Sequence, residues 1–341
     1  MATGGSAMKW ESVTPMPTKR VFASPVVHDG NLYIIGGCDA SGIPLDSVEM
    51  YSGGKKWKRL LSMPTKRAGA AVVALGTKIV AIGGVSETQA PLDAVEIYDT
   101  STKTWTAMEP LGEPLLGVSA VLRDNKVLVI GGMAVDTNPR DMFVEFDVEG
   151  NKWKKLPGIP TARYASSAFL IGDKLYVIGG RQGKLPTAAF EVYDFNEKKW
   201  TQLPDVPSKR VFAMYAATDT HIFSAGGLNQ PASEGFSDAC EVFDIATGEW
   251  KLGAKMPTKR GDFAIGVLDD RLVCAGGLGN DGKPLAVVES YCHKTDAWRK
   301  EADMPSTHCS CSYIVHKGKL YVAGGLSLQG PSNCVDALQV K

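Results

Sequence analysis

At 341 residues with 37 basic and 37 acidic side chains, the chain carries no formal net charge and has a pI near 6.9. That balance excludes a general nucleic-acid binder, which needs a basic footprint to displace counterions. Charged residues make up 22% and apolar residues 44%, which allows a large core and excludes wholesale disorder.

The first residues, MATGGSAMKW, lack the apolar stretch of a secretion signal, and no run approaches the about 18 apolar residues of a membrane span. The seven cysteines are odd in number and irregularly spaced, so no disulfide framework is expected. Together these features place the chain in the cytoplasm, with no membrane partner.

The first predicted element is a strand at 8–14 around Trp10, with no strands of its own unit before it. A repeated unit follows, seen most clearly from Met63 to Gly84, MPTKRAGAAVVALGTKIVAIGG. It has a Met-Pro-Thr-Lys-Arg turn, a strand of small residues (a), a tight turn, an apolar strand (b) and a diglycine. A third strand (c) follows at Ala94 to Asp99, AVEIYD, and a fourth (d) begins at Trp105. The diglycines begin at Gly36, Gly83, Gly131, Gly179, Gly226, Gly276 and Gly324, and all seven tryptophans, Trp10, Trp57, Trp105, Trp153, Trp200, Trp250 and Trp298, share one register.

Strand a reads AGAAVVAL (Ala68 to Leu75), ASSAFLI (Ala165 to Ile171) or CSCSYIV (Cys309 to Val315). Its small side chains suit the crowded innermost strand of a propeller, and on a strand Cys309 and Cys311 face the same way. Strand c carries Tyr51, Tyr98, Phe146, Tyr193, Phe243 or Tyr291, with Leu338 in the seventh unit. No segment has sustained helical periodicity, so the chain is all-β. The tail at 308–340 supplies strands a to c with no strand d. The strand at 8–14 completes that last sheet and closes the ring.

Seven units at 47 to 50 residues, each with two apolar residues before a diglycine, then a Val-Glu-x-Tyr-Asp strand and a lone tryptophan, resemble the kelch repeat over the whole chain. The stretches GGRQGKLPTAAFEVYD (Gly179 to Asp194), GGLGNDGKPLAVVES and CVDAL are most similar to the small kelch domain-containing protein 8 group. The expectation is therefore a seven-bladed kelch β-propeller, a single domain at 1–341 with four antiparallel strands per blade. There is no room for a BTB or BACK domain.

From each tryptophan to the Arg position is ten residues, and from there to the first glycine sixteen. From that glycine to the strand-c aromatic position the count is 15, 15, 15, 14, 17, 15 and 14, so the b–c loops vary in length and sequence. They share one end of a blade with the d–a loops, and variable loops on one side of a repeat mark its binding face. The function expected is a non-catalytic scaffold that binds a peptide segment or protein loop there and acts as a monomer. Candidate loop contacts are Asp39, Glu87, Asp136, Arg140, Asn229 and Asn280. A cytoskeletal or cell-division scaffold is the alternative that the resemblance implies.

Arg20, Arg67, Arg163, Arg210 and Arg260 occupy one repeat position, and Glu49, Glu96, Glu191, Glu241 and Glu289 another in the same five units. The third unit has Leu115 and Val144 at these places, and the seventh His308 and Asp336. Positions that change together read as a structural pair. Each arginine is expected to cross its diglycine (Gly83 and Gly84 in the second unit) to reach the glutamate, on a path that any Cβ would block. Lys19, Lys66, Lys209 and Lys259 precede four of the arginines. With Arg181 and Lys184 of one b–c loop they form either a basic rim for an acidic segment or a solvated face offset by nearby aspartates.

The alternative of another class is a kelch-fold enzyme with a site at the axial mouth. The five histidines are expected to lie apart from one another, no His/Cys spacing marks a metal site, and GLGNDG (Gly277 to Gly282) leads into a strand and not a helix. No catalytic residue, metal or cofactor is assigned.

Overall fold

The computed structural model describes residues 7–341; the first six residues of the segment read above as lacking a secretion signal lie outside them. Seven four-stranded antiparallel sheets account for the chain, and they are the blades of a propeller. The b and c strands form the core: Ile79, Val80, Ala81 and Ile82 are fully buried, as are Val127 through Ile130. One helical turn, Ala232–Glu234, interrupts the longest b–c loop.

By packing, the chain falls into two compact units. One unit comprises Ala23–Ser52 and Lys58–Val206 and holds the first four blades. In it the innermost strands Ser24–His28, Ala71–Leu75, Ser119–Arg123 and Ser167–Ile171 run beside one another. The other unit comprises the residues up to Phe22, Gly53–Trp57 and Pro207–Lys341, and holds the last three blades. Its final sheet takes three strands from the C-terminal end, Ser312–His316, Lys319–Ala323 and Val335–Val340, and its outer strand, Met8–Val13, from the N-terminal end. The register runs from Met8 opposite Val340 to Val13 opposite Val335.

The repeating aromatics pair across strands c and d. Tyr98 faces Trp105, Phe146 faces Trp153, Tyr193 faces Trp200 and Tyr291 faces Trp298, with ring centroids 4.5–5.3 Å apart. Each indole N–H also ties its blade to the connection entering that blade. Trp105 donates to the Leu61 carbonyl at 2.8 Å, Trp153 to that of Glu109 and Trp298 to that of Ala254. One side chain thus fills the core and satisfies a backbone acceptor, which is why no unit dispenses with it.

Two details differ from the reading of the sequence. Strand a begins later than its small residues suggest, at Ala71, Ser167 and Ser312. The residue two after the Arg position is left-handed (Gly69 φ 62°, Ala165 φ 55°, Ser310 φ 49°), and this breaks the alternation. Cys309 and Cys311 therefore flank a reversal and do not share one face of a strand. The diglycine also has a different cause. A Cβ on Gly83 would lie 2.8 Å from the Leu115 carbonyl oxygen, and one on Gly84 2.7 Å from that of Ala68. Close approach of backbone, together with φ of 62° and 103°, demands glycine here, not the passage of a guanidinium. Gly84→Ala is expected to cost about 1–3 kcal/mol, read as a lower thermal midpoint with an unchanged circular dichroism spectrum at 20 °C.

Candidate functional site

The Arg and Glu positions are buried braces inside the blades. Arg67 Nη2 lies 2.6 Å from Glu96 Oε1, and its Nη1 donates to the carbonyls of Gly83 and Ala94 at 2.9 Å. The remaining carboxylate oxygen accepts the Thr65 hydroxyl at 2.6 Å. Arg260, Glu289 and Thr258 repeat this set, as do Arg163, Glu191 and Thr161, and Arg210, Glu241 and Ser208. Burial pulls the Arg67 guanidinium below its ordinary value, and Glu96 opposes the shift. Arg20 and Glu49 are likewise buried, and Glu49 also has Arg59 Nε at 3.8 Å. In the seventh blade His308 bridges the Gly324 carbonyl at 2.6 Å and Asp336 at 2.9 Å. The hydroxyl at the start of each brace was not read from the sequence, although Thr or Ser stands two residues before each of these arginines.

The residues proposed for contact surround the b–c and d–a loops. Lys19, Lys66, Lys209, Lys259, Lys184 and Asn280 are exposed. Lys66 and Glu87 meet each other at 3.1 Å, and that hydrogen bond raises the lysine pKa. Asp39 accepts the backbone N–H groups of Ser41 and Ile43 and so shapes its own loop. Asp136 holds Arg140 at 3.0 Å, and Glu113 holds the same guanidinium at 2.6 Å, raising its pKa. Asn229 donates to the Gly235 carbonyl, and Asn280 accepts the Phe236 N–H at 2.7 Å. Arg181 lies over the Tyr164 ring, 5.8 Å from its centroid. Charge on these loops is thus partly committed to loop structure, while Lys19, Lys209 and Lys259 stand exposed next to Arg20, Arg210 and Arg260.

Apolar exposure at this end of the blades was not foreseen. Ile43, Val135, Leu185, Leu326 and Leu328 stand exposed on b–c loops, and Phe22 and Phe212 on d–a loops. They are seven of the ten large apolar side chains exposed among the described residues; the others, Leu61, Leu252 and Val315, sit at or beside strand ends. Phe22 and Phe212 occupy the left-handed repeat position, with φ of 58° and 57°. The glycines there in the second and third units, Gly69 and Gly117, are the sequence signal that could have revealed it.

Two cavities accompany these features. A cleft of about 800 Å³ opens in the third blade between Leu111, Phe143, Val144, Trp153 and Leu156, with Glu113 and Arg140 at its edge. It borders the place of the missing brace: Glu113, Leu115 and Val144 stand where the second blade has Thr65, Arg67 and Glu96, and of these Glu113 and Val144 line the cleft while Leu115 is packed in the core. The second cavity, about 490 Å³, is lined by His221, His293, Asp244, Trp250 and Tyr291. Contrary to the expectation that the histidines lie apart, the His221 and His293 rings are 4.2 Å apart at their centroids. Burial, and then the neighbouring His221, hold His293 below its usual pKa. The described residues contain no group of three or more His, Cys, Asp or Glu able to hold a metal ion.

Buried braces, indole ties and a variable loop end define a repeat-built propeller of the kelch class. The chain belongs to the kelch-repeat family: the KLHDC2/KLHL20/DRC7 Kelch-repeats domain matches residues 117–325, and the Attractin/LZTR1 beta-propeller matches 5–187. It is similar to Kelch domain-containing protein 8B of Mus musculus (42% identical) and of Homo sapiens (41%), in each case over 46% of this chain and 47% of the relative. The chain thus matches about half the length of these curated relatives. The solved structure of YjhT superposes with a TM-score of 0.65 at 17% identity, covering 85% of this chain and 99% of that one, which supports the fold alone.

Proposed function

We propose that the protein is a non-catalytic scaffold that holds a peptide segment or loop of a partner protein at the b–c and d–a end of its blades. The observation that carries this reading is that seven of the ten exposed large apolar side chains among the described residues lie on b–c and d–a loops, and the b–c loops also vary most in length. Such side chains cost solubility unless they meet a partner, and exposed lysines around them supply a polar rim for an acidic segment. A preorganised scaffold lowers the ordering cost of binding. Seven free cysteines agree with action in a reducing compartment such as the cytoplasm.

The test is capture by the tagged full chain, compared with a variant carrying serine at Ile43, Val135, Leu185 and Leu328. The partner recovered with wild type is expected to be lost with this variant, at an unchanged melting temperature. Equal recovery by both proteins refutes the reading. The double variant Lys209→Glu/Lys259→Glu is expected to slow association and to flatten its salt dependence, measured by surface plasmon resonance on the captured partner.

A further inference from the structure

Within the unit holding the last three blades, four residues at the left-handed repeat position form a hydrogen-bonded row. The Phe212 carbonyl accepts the Asp262 N–H at 3.1 Å, Asp262 Oδ2 accepts the Ser310 hydroxyl, and the Ser310 carbonyl accepts the Phe22 N–H at 3.4 Å. Their φ values lie between 49° and 58°. Residues other than glycine seldom adopt this conformation, because the Cβ then crowds the following carbonyl. The second and third units place glycine there, so side chains at this position in the row come at a conformational cost.

The two ends of the row are phenylalanines, 56% and 50% exposed. Between them lies the only acidic side chain found at this repeat position. Asp262 is half-buried, and its carboxylate accepts hydrogen bonds from the hydroxyl and backbone N–H of Ser310, neutral donors. Burial drives its carboxyl pKa upward. A half-buried carboxylate held by neutral donors gains from a cation that arrives to pair with it.

We propose that this row seats one basic side chain of the partner segment, its ammonium or guanidinium on Asp262 and its aliphatic stem between Phe22 and Phe212. The cation supplies the charge that Asp262 lacks. The aromatic rings exclude water from the pair and offer their faces to the charge. Lys209 and Lys259 stand three residues before Phe212 and Asp262, so acidic residues flanking the basic one meet them. The segment is then acidic overall with one embedded lysine or arginine, a statement that rests on the scaffold reading above.

The experiment selects a displayed random peptide library on the purified full chain and, in parallel, on Asp262→Asn. Wild type is expected to enrich peptides with one invariant lysine or arginine among acidic residues, and the variant to lose that preference. The enriched peptide is then synthesised with its basic residue intact or replaced by methionine, or by citrulline for arginine, and titrated by fluorescence anisotropy. Neutralising the residue is expected to weaken binding to wild type at least tenfold and to change little on Asp262→Asn. Phe212→Ala, which leaves the carboxylate in place, is expected to weaken both peptides. Enriched peptides without a basic position, or equal losses on the two proteins, overturn the proposal while the scaffold reading stands. Failure to retain any peptide overturns both.

Discussion

Arg163→Met is expected to destabilise the protein by about 3–5 kcal/mol, because it leaves Glu191 buried without its counter-charge. Both side chains of this pair are fully buried, so water cannot replace the lost partner. The double variant Arg163→Leu/Glu191→Val is expected to recover most of the loss, since the third blade already places Leu115 and Val144 at these positions. Recovery stops short of wild type by roughly 2 kcal/mol, because the smaller side chains leave unfilled space. Urea unfolding followed by tryptophan fluorescence gives all three values. If the double variant is as unstable as Arg163→Met, the brace does more than balance charge.

Deleting residues up to Val13 is expected to produce a larger change, aggregation of the chain. The deletion removes the outer strand of the last sheet, with two buried side chains, Met8 and Val13, and the tie from Trp10 to the Ala302 carbonyl. Burying those two side chains alone is worth on the order of 4 kcal/mol. The loss also bares the edge of Val335–Val340, an apolar strand free to pair with other copies. Size-exclusion chromatography is expected to show high-mass species, and a synthetic peptide spanning MKWESV added during refolding is expected to restore the elution volume of the undeleted chain. A deleted chain that elutes as the undeleted one does, with an unchanged melting temperature, would show that this strand is dispensable.

The repeat was legible because its markers are chemical. An indole every 47 to 50 residues and a diglycine at fixed distance cannot be mistaken for chance, and Leu115 with Val144 exposed the pairing of Arg with Glu by breaking it. What stayed hidden depends on geometry that residue names do not carry. The left-handed turn after each Arg position is a matter of backbone sign, and only Gly69 and Gly117 hint at it. His221 begins strand b of the fifth blade and His293 lies in the c–d turn of the sixth, so their contact is between blades and has no sequence spacing. The cleft of the third blade arises from packing, which no motif spells. The loops proposed for contact stand out by their variability, but which of their charges are already spent on one another, as Lys66 and Glu87 are, required coordinates.

The last sheet also imposes an order of events during synthesis. Among the described strands Met8–Val13 is made first, and its hydrogen-bonding partner, Val335–Val340, is made after all the others. For more than 300 residues of translation the early strand has no native place to go, and its apolar face is available to chaperones or to neighbouring nascent chains. Loop-closure entropy rises slowly with length, so the delay adds little to the final cost of pairing. Its consequence is kinetic: this fold can be completed only once Val335–Val340 has been made.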